Sequence, residues 1–291
     1  MHHLGGVGGA SSTISSYWRE HLVGRLTRVR IARFTTGTDP AFGVVDGPDE
    51  HLFVAGVAGD PLYQGIELTG ERFDLADVRL LAPVIPRSKV VCIGRNYADH
   101  ASELGHEVPA EPLIFIKPST SVIGPNDAIR IPPQSRQVEH EAELAVVIGA
   151  TGARRVDRAG AERAIFGYTV GNDVTARDLQ RKDGQFTRAK GFDSFCPLGP
   201  WIETDLDPQA FADGVAIQTH LNGDLKQDGS TRDLIFDIPT LIAHVSSVMT
   251  LLPGDVILTG TPEGVGPMDV GDEVEVSIAG IGTLTNKVAQ R

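Results

Sequence analysis

Apolar residues along the chain come in short runs interrupted by glycine, proline and Asn-Gly or Asp-Gly pairs, a spacing that predicts strands joined by tight turns. Arg28-Val-Arg-Ile-Ala-Arg-Phe34, Phe42-Gly-Val-Val45 and His51-Leu-Phe-Val54 predict a small β-rich module over residues 25–87, closed by the linker Ala82-Pro-Val-Ile-Pro-Arg87. Residues 1–24, rich in Gly and Ser, read as a flexible extension. From 88 to 291 the pattern reads as one further β-rich domain. Ser88–Gly94, Leu113–Ile116, Glu141–Ile148, Ile165–Asp173 and Val256–Thr259 read as strands. Val215–Leu221 runs into Asn222-Gly223, a strong hairpin signal, and Glu273–Ala279 with Thr283–Val288 predicts a closing hairpin. Helices are few. Tyr97–Leu104 predicts one or two turns, with Asn96 as N-cap and Gly105 just past the end. Thr175–Arg181 predicts another, stopped by Asp183-Gly184. Ile238, Leu241, Ile242, Val245, Val248, Met249 and Leu252 fall at helical spacing, with Pro239 in the first turn and Pro253-Gly254 as the stop.

Composition narrows the function classes. With 291 residues, 41% hydrophobic and 22% charged, the chain is long enough for a sizeable core and is not disordered throughout. A net charge of −12 argues against nucleic acid or an anionic membrane as partner, though it leaves room for a local basic pocket. Two cysteines, Cys92 and Cys196, fit a reducing compartment. No apolar run reaches the ~18 residues of a membrane helix, and no signal peptide is evident, so a cytoplasmic protein is expected.

The chemistry-bearing residues cluster in a few segments. Glu139-His-Glu-Ala-Glu143 leads into an apolar strand, and period-two alternation puts Glu141 and Glu143 on one face. A solvated edge strand is the commoner source of such a pair; a metal site is the alternative. Asp173, at the end of the next apolar strand, adds a third carboxylate and fits equally well as a helix N-cap. Oxygen-only ligands favour a hard cation, Mg²⁺, Mn²⁺ or Ca²⁺, over zinc. His100 and Glu103 stand at i and i+3, where a carboxylate orients an imidazole as general base; an ordinary surface pair has the same spacing. Arg177, Gln180 and Lys190 are candidate carboxylate or enolate partners, or a solvated cationic face. Leu258-Thr-Gly-Thr-Pro-Glu-Gly-Val-Gly266 lacks the end of a phosphate loop, but its N–H groups and Thr261 suit a small anion.

Six stretches in order carry a resemblance: Gly94-Arg-Asn-Tyr-Ala-Asp-His100, Phe115-Ile-Lys-Pro118, His140-Glu-Ala-Glu-Leu144, Gly171-Asn-Asp-Val-Thr-Ala-Arg-Asp178, Ala189-Lys-Gly-Phe192 and the Leu258–Gly266 loop. Together they resemble the fumarylacetoacetate hydrolase family over about residues 88–289. The resemblance implies an α+β, β-rich fold, with a mixed β-sandwich or roll as catalytic domain behind the small N-terminal module, and a homodimer. It implies Mg²⁺ or Mn²⁺ (Ca²⁺ is also compatible) on Glu141, Glu143 and Asp173. It implies catalytic roles for His100, Glu103 and Lys190, and substrate contacts from Arg177, Gln180 and Thr261. The substrate is then a small 2-oxo acid, with Gly105-His-Glu-Val-Pro109 in a presumed lid. The leading expectation is C–C bond hydrolysis of an acylpyruvate or β-diketo acid through a metal-bound enolate. Oxaloacetate decarboxylation or 2-hydroxyhepta-2,4-diene-1,7-dioate isomerisation would use the same site. A non-catalytic metabolite-binding protein is the reading from another class.

Overall fold

The computed structural model describes residues 29–291 apart from 38, 49, 104–107 and 207. The expected extension over 1–24, Gly105 beyond the first predicted helix, and most of the presumed lid lie outside the described residues. The N-terminal strands are β1 (Arg30–Thr35), β2 (Ala41–Asp46), β3 (Phe53–Val57), β4 (Leu68–Asp74) and β5 (Arg79–Leu81). Then come β6 (Val90–Gly94), β7 (Leu113–Lys117), β8 (Val122–Ile123), β9 (Ile129–Ile131), β10 (Val138–His140), β11 (Ala142–Ile148), β12 (Ile165–Asn172), β13 (Thr175–Ala176) and β14 (Cys196–Glu203). The last are β15 (Ala216–Leu221), β16 (Asp224–Ser230), β17 (Val256–Leu258), β18 (Gly266–Pro267), β19 (Glu273–Ile278) and β20 (Gly282–Gln290). The described helices are α1 (Pro61–Gln64), α2 (Ala98–Glu103), α3 (Arg158–Arg163), α4 (Arg177–Asp183), α5 (Phe186–Lys190), α6 (Pro208–Asp213) and α7 (Ile238–Val248). Strand outweighs helix, 42% to 20%, in the mixed-sheet α+β architecture expected.

A large sheet runs β4-β3-β2-β1-β14-β12-β11-β17-β6-β7, with β5 also on β1 and β8 on β14. The N-terminal strands are hydrogen-bonded into it: β1 pairs β14 through Arg30↔Glu203 and Ile31↔Ile202. A second sheet, β16-β15-β19-β20-β9, packs against it, and β13-β10-β18 forms a short ladder beside the start of β11. Every residue of β11 is buried, so both its faces are core. Leu144, Val146 and Ile148 join the main cluster with Leu241, Ile242 and Val245 of α7 and Val274 and Val276 of β19. Ala145 and Val147 join a second cluster on the other face, with Cys92, Leu198 and Leu258. Each large aliphatic side chain buried in this way contributes roughly 1.5–3 kcal/mol, which makes β11 the spine of the molecule.

Local signals explain most element ends. Asp237 caps α7 by accepting from the Thr240 N–H at 3.1 Å, and Pro239 sits in the first turn, where its missing N–H costs nothing. α7 stops at Val248 rather than continuing to Leu252. Met249 turns extended, and Leu251 exchanges hydrogen bonds with Ala153 in an isolated bridge. α4 starts at Arg177, two residues later than expected, because Thr175 and Ala176 pair with β10. It ends where Gly184 turns left-handed, φ 66°. Asn96 is not the N-cap of α2. Its amide donates to the Phe236 and Thr259 carbonyls and its oxygen accepts from the Phe236 N–H, tying three segments together. The central strand β14 was not predicted. Cys196-Pro-Leu-Gly-Pro-Trp-Ile-Glu203 carries two prolines, which argue against an interior strand. The β12–β14 ladder accommodates Pro200 by shifting register between Tyr168 and Val170.

Candidate active site and metal centre

The junction between β10 and β11 brings the carboxylates together. The Glu141 N–H donates to Asn172 Oδ1 at 3.0 Å, and the Asp173 N–H donates to the Glu141 carbonyl at 2.8 Å. These bonds lock the entry of β11 to the exit of β12. Glu141 and Glu143 project to one side, beside Asp173. All three are buried, and one oxygen from each lies within 4.8 Å of the others. That burial excludes the solvated edge strand. Nor does Asp173 cap a helix, since the N-cap position of α4 is Ala176 and carries no side-chain bond.

Buried carboxylates need cations. Lys190, at the end of α5, donates to Asp173 Oδ2 (2.5 Å), Glu141 Oε2 (2.9 Å) and Thr175 Oγ1 (2.8 Å). Lys117, fully buried at the end of β7, donates to Asp173 Oδ1 (2.5 Å) and the Val174 carbonyl. Arg177 donates from Nε to Glu139 (2.7 Å), from Nη2 to Glu141 (2.5 Å) and from Nη1 to Gln180 (2.6 Å). Two of its five N–H groups remain for a ligand. Burial alone would push the Glu141 carboxyl up, but Lys190 and Arg177 outweigh it and hold Glu141 well below the usual carboxylate range. Glu143 goes the other way: burial, then Asp173 and Glu141, push it well above that range. Its Oε2 accepts from the Gly260 N–H at 2.6 Å. A divalent cation held by Glu141, Glu143 and Asp173 would relieve that repulsion. Their oxygens lie close enough together for one ion to be held by all three, and oxygen-only donors suit a hard cation, so the residues fit such an ion.

Eight of the nine residues singled out in sequence line one cavity of about 270 Å³: His100, Glu141, Glu143, Asp173, Arg177, Gln180, Lys190 and Thr261. The ninth, Glu103, stands one helical turn from His100, its Oε2 3.3 Å from the imidazole Nδ1. His100 is buried although Glu103 is exposed, so only the carboxylate of the pair meets solvent. The Gly264 N–H donates to Glu103, so the glycine-rich loop serves the protein's own carboxylates at Gly260 and Gly264.

Two further residues of this site had no role in the sequence reading. Lys117 was visible as a lysine closing an apolar strand before Pro118. Gln227 is the buried position of β16, and its oxygen accepts from the Ala142 N–H and Thr219 Oγ1 while facing His140 Nδ1. Its amide donates to Thr261 Oγ1 (2.8 Å) and the Pro262 carbonyl. It therefore fixes Thr261 from the second sheet. A glutamine at a core-facing position of a hairpin was the signal available.

Residues 89–289 match the family model described as fumarylacetoacetate (FAA) hydrolase C-terminal, and residues 29–83 match the one described as Rv2993c-like, N-terminal. The chain belongs to the fumarylacetoacetate hydrolase family. Protein Rv2993c of Mycobacterium tuberculosis is 51% identical over 267 residues, covering 90% of this chain and 99% of that protein. The oxaloacetate tautomerase YisK of Bacillus subtilis is 41% identical, over 76% of this chain and 77% of the relative. Among solved structures of the family, a 5-carboxymethyl-2-hydroxymuconate delta-isomerase from Mycobacterium smegmatis is 49% identical, with a TM-score of 0.81 over 90% of this chain and all of that one. A fumarylpyruvate hydrolase from Pseudomonas aeruginosa, in complex with Mn²⁺ and pyruvate, is 32% identical, with a TM-score of 0.66 over 73% of this chain and 92% of that one. Family membership supports enzymatic activity dependent on a divalent metal. Among the described residues no helix is long and apolar enough to cross a membrane.

Proposed function

We propose that this protein forms the enolate of a small 2-oxo acid with the help of Mg²⁺ or Mn²⁺ and returns it as a keto–enol tautomer or double-bond isomer. The observation that carries the reading is the meeting of a buried, carboxylate-oriented imidazole with three carboxylates and Lys190 in one cavity. Bound on Glu141, Glu143 and Asp173, a divalent cation supplies a Lewis acid for oxygens that gain negative charge. With Nδ1 turned to Glu103, the His100 proton sits on that nitrogen and Nε2 is the basic atom. Nε2 takes a proton from the carbon beside the keto group and can return it elsewhere on the conjugated system. Lys190, fixed by Asp173 and Glu141, adds positive charge beside the developing enolate. The free N–H groups of Arg177, with Gln180 and Thr261, hold the substrate's carboxylate and carbonyl oxygens.

The oxaloacetate tautomerase and the delta-isomerase, 41% and 49% identical to this chain, support this chemistry beside the C–C hydrolysis expected first. Hydrolysis of an acylpyruvate stays the second reading. It is favoured by the Glu103 contact, which would also prepare His100 to deprotonate water. One assay series separates them: decay of the oxaloacetate enol absorbance, loss of β-diketone absorbance from acylpyruvates, and pyruvate release from oxaloacetate, each with Mg²⁺, Mn²⁺ or EDTA. EDTA-sensitive enol decay is expected. EDTA-sensitive acylpyruvate loss without it would establish hydrolysis, and pyruvate release alone decarboxylation. Turnover indifferent to EDTA would overturn the proposal.

A further inference from the structure

A second cavity, of about 260 Å³, opens beyond the other end of β11 and shares no lining residue with the active site. Its floor is apolar. Ile31, Val84, Val147 and Ile202 come from the buried cluster that includes Cys92 and Leu258, and Phe42 and Phe166 pack against that cluster beside them. Set into this apolar wall is Arg33 of β1. It is half-buried, and its guanidinium makes no hydrogen bond or ion pair among the described residues. Burial lowers its pKa, and Asp60 offsets only part of that effect. Arg87 stands at the rim with its guanidinium 4.4 Å from the ring centre of Tyr63, whose hydroxyl donates to the Pro253 carbonyl at 3.2 Å. The Asp60 carboxylate also faces the cavity, but it accepts from the Leu62 N–H at 3.0 Å and so caps α1. Two guanidiniums against one carboxylate leave the cavity with an excess positive charge over an apolar floor.

We propose that this cavity is a second ligand site, for a small monocarboxylate with a compact apolar body. A neutral ligand leaves Arg33 desolvated and unpaired, and an amine adds to the excess charge. A carboxylate accepts from Arg33 and Arg87, while a single ring or short branched chain fills the floor. The volume lies just below the usual range of ligand cavities, ~300–1,000 Å³, which suits a single small ring and excludes nucleotides and long acyl chains. The cavity is separate from the reaction at the metal centre.

Benzoate is a suitable probe, titrated calorimetrically into the full-length protein with Mg²⁺ present and compared with benzamide as the neutral isostere. Saturable benzoate binding is expected, at least about tenfold tighter than benzamide, as a charge-assisted hydrogen bond requires. Arg33→Met keeps the apolar stem and should weaken benzoate by about tenfold or more, whereas Lys190→Met should leave it within about twofold. Arg87→Met, at the exposed rim, gives a smaller loss of about threefold and serves if Arg33→Met fails to fold. Equal affinity for benzoate and benzamide, undiminished binding in Arg33→Met (or in Arg87→Met where it is the readable variant), or no saturable heat would overturn the proposal. Loss of binding in Lys190→Met would do so too, because it would seat the probe at the metal centre.

Discussion

The two main sheets treat polarity in opposite ways. In the five-stranded sheet, β19 alternates half-buried and buried positions along its length, with one face on the core and the other toward water. In the large sheet, β11 is buried at every position and β12 at nearly every one. A charge on the first sheet turns to solvent and costs little. A charge on β11 has nowhere to turn, so Glu143 must find a Gly260 N–H or a metal ion, and Asp173 must find Lys117 and Lys190. The contrast teaches where chemistry resides in this fold. Perturbed groups accumulate where a strand covered on both faces emerges from apolar packing, and the half-solvated sheet reaches Thr261 of the site through Gln227.

That contrast can be broken from the site side first. Glu141→Ala removes a carboxylate shared by Lys190 and Arg177. It should destabilise the fold by about 3–5 kcal/mol and abolish Mg²⁺ binding and turnover together, read by thermal denaturation and calorimetric Mg²⁺ titration. Surviving turnover would displace the metal centre from these residues. His100→Ala should lower kcat by about 10²–10⁴-fold with Mg²⁺ affinity nearly unchanged, since the imidazole is assigned to the proton and not to the ion. A large loss of Mg²⁺ affinity in that variant would move His100 into the coordination sphere.

Gln227→Leu tests the crossing point of the two sheets. It orphans the buried Thr261 hydroxyl and should cost about 1–3 kcal/mol of stability, with KM raised more than kcat is lowered. Gln227→Glu, which keeps the shape, should recover the fold better than it recovers KM. Lys287→Ala, at an exposed position of β20, marks the tolerant extreme, and its melting transition should stay within about 0.5 kcal/mol of the parent. A large effect there would erase the distinction between the sheets.

The same contrast governs what could be read in advance. The β15–β16 hairpin was legible because Asn222 and Gly223 both adopt positive φ, 53° and 83°, which that dipeptide favours. α7 was legible because one stripe of it meets the core. β14 was not, because its prolines are tolerated through a register shift in β12 that no local pattern records. In the site, residue types with a habitual chemistry, such as Glu141, Glu143, Asp173, His100 and Lys190, stood out in the sequence. Lys117 and Gln227 did not, because their importance comes from partners 56 and 34 residues away, at Asp173 and Thr261.

The ladder joining Arg30 to Glu203 has a consequence for the chain as it is made. At ~5–20 residues per second, about 9–35 s of synthesis separate these two partners. For that interval the first strands have their inner neighbours but not β14, and an open strand edge is a template for pairing with another nascent chain. The exposure is short. β5, completed by residue 81, already pairs with Arg33, Phe34 and Thr35, so only the Arg30–Ile31 end of β1 awaits its partner, and a charged arginine stands on it. β5, three residues long and invisible to pattern reading, thus acts as a temporary selvedge on a cloth whose other half has not yet been woven.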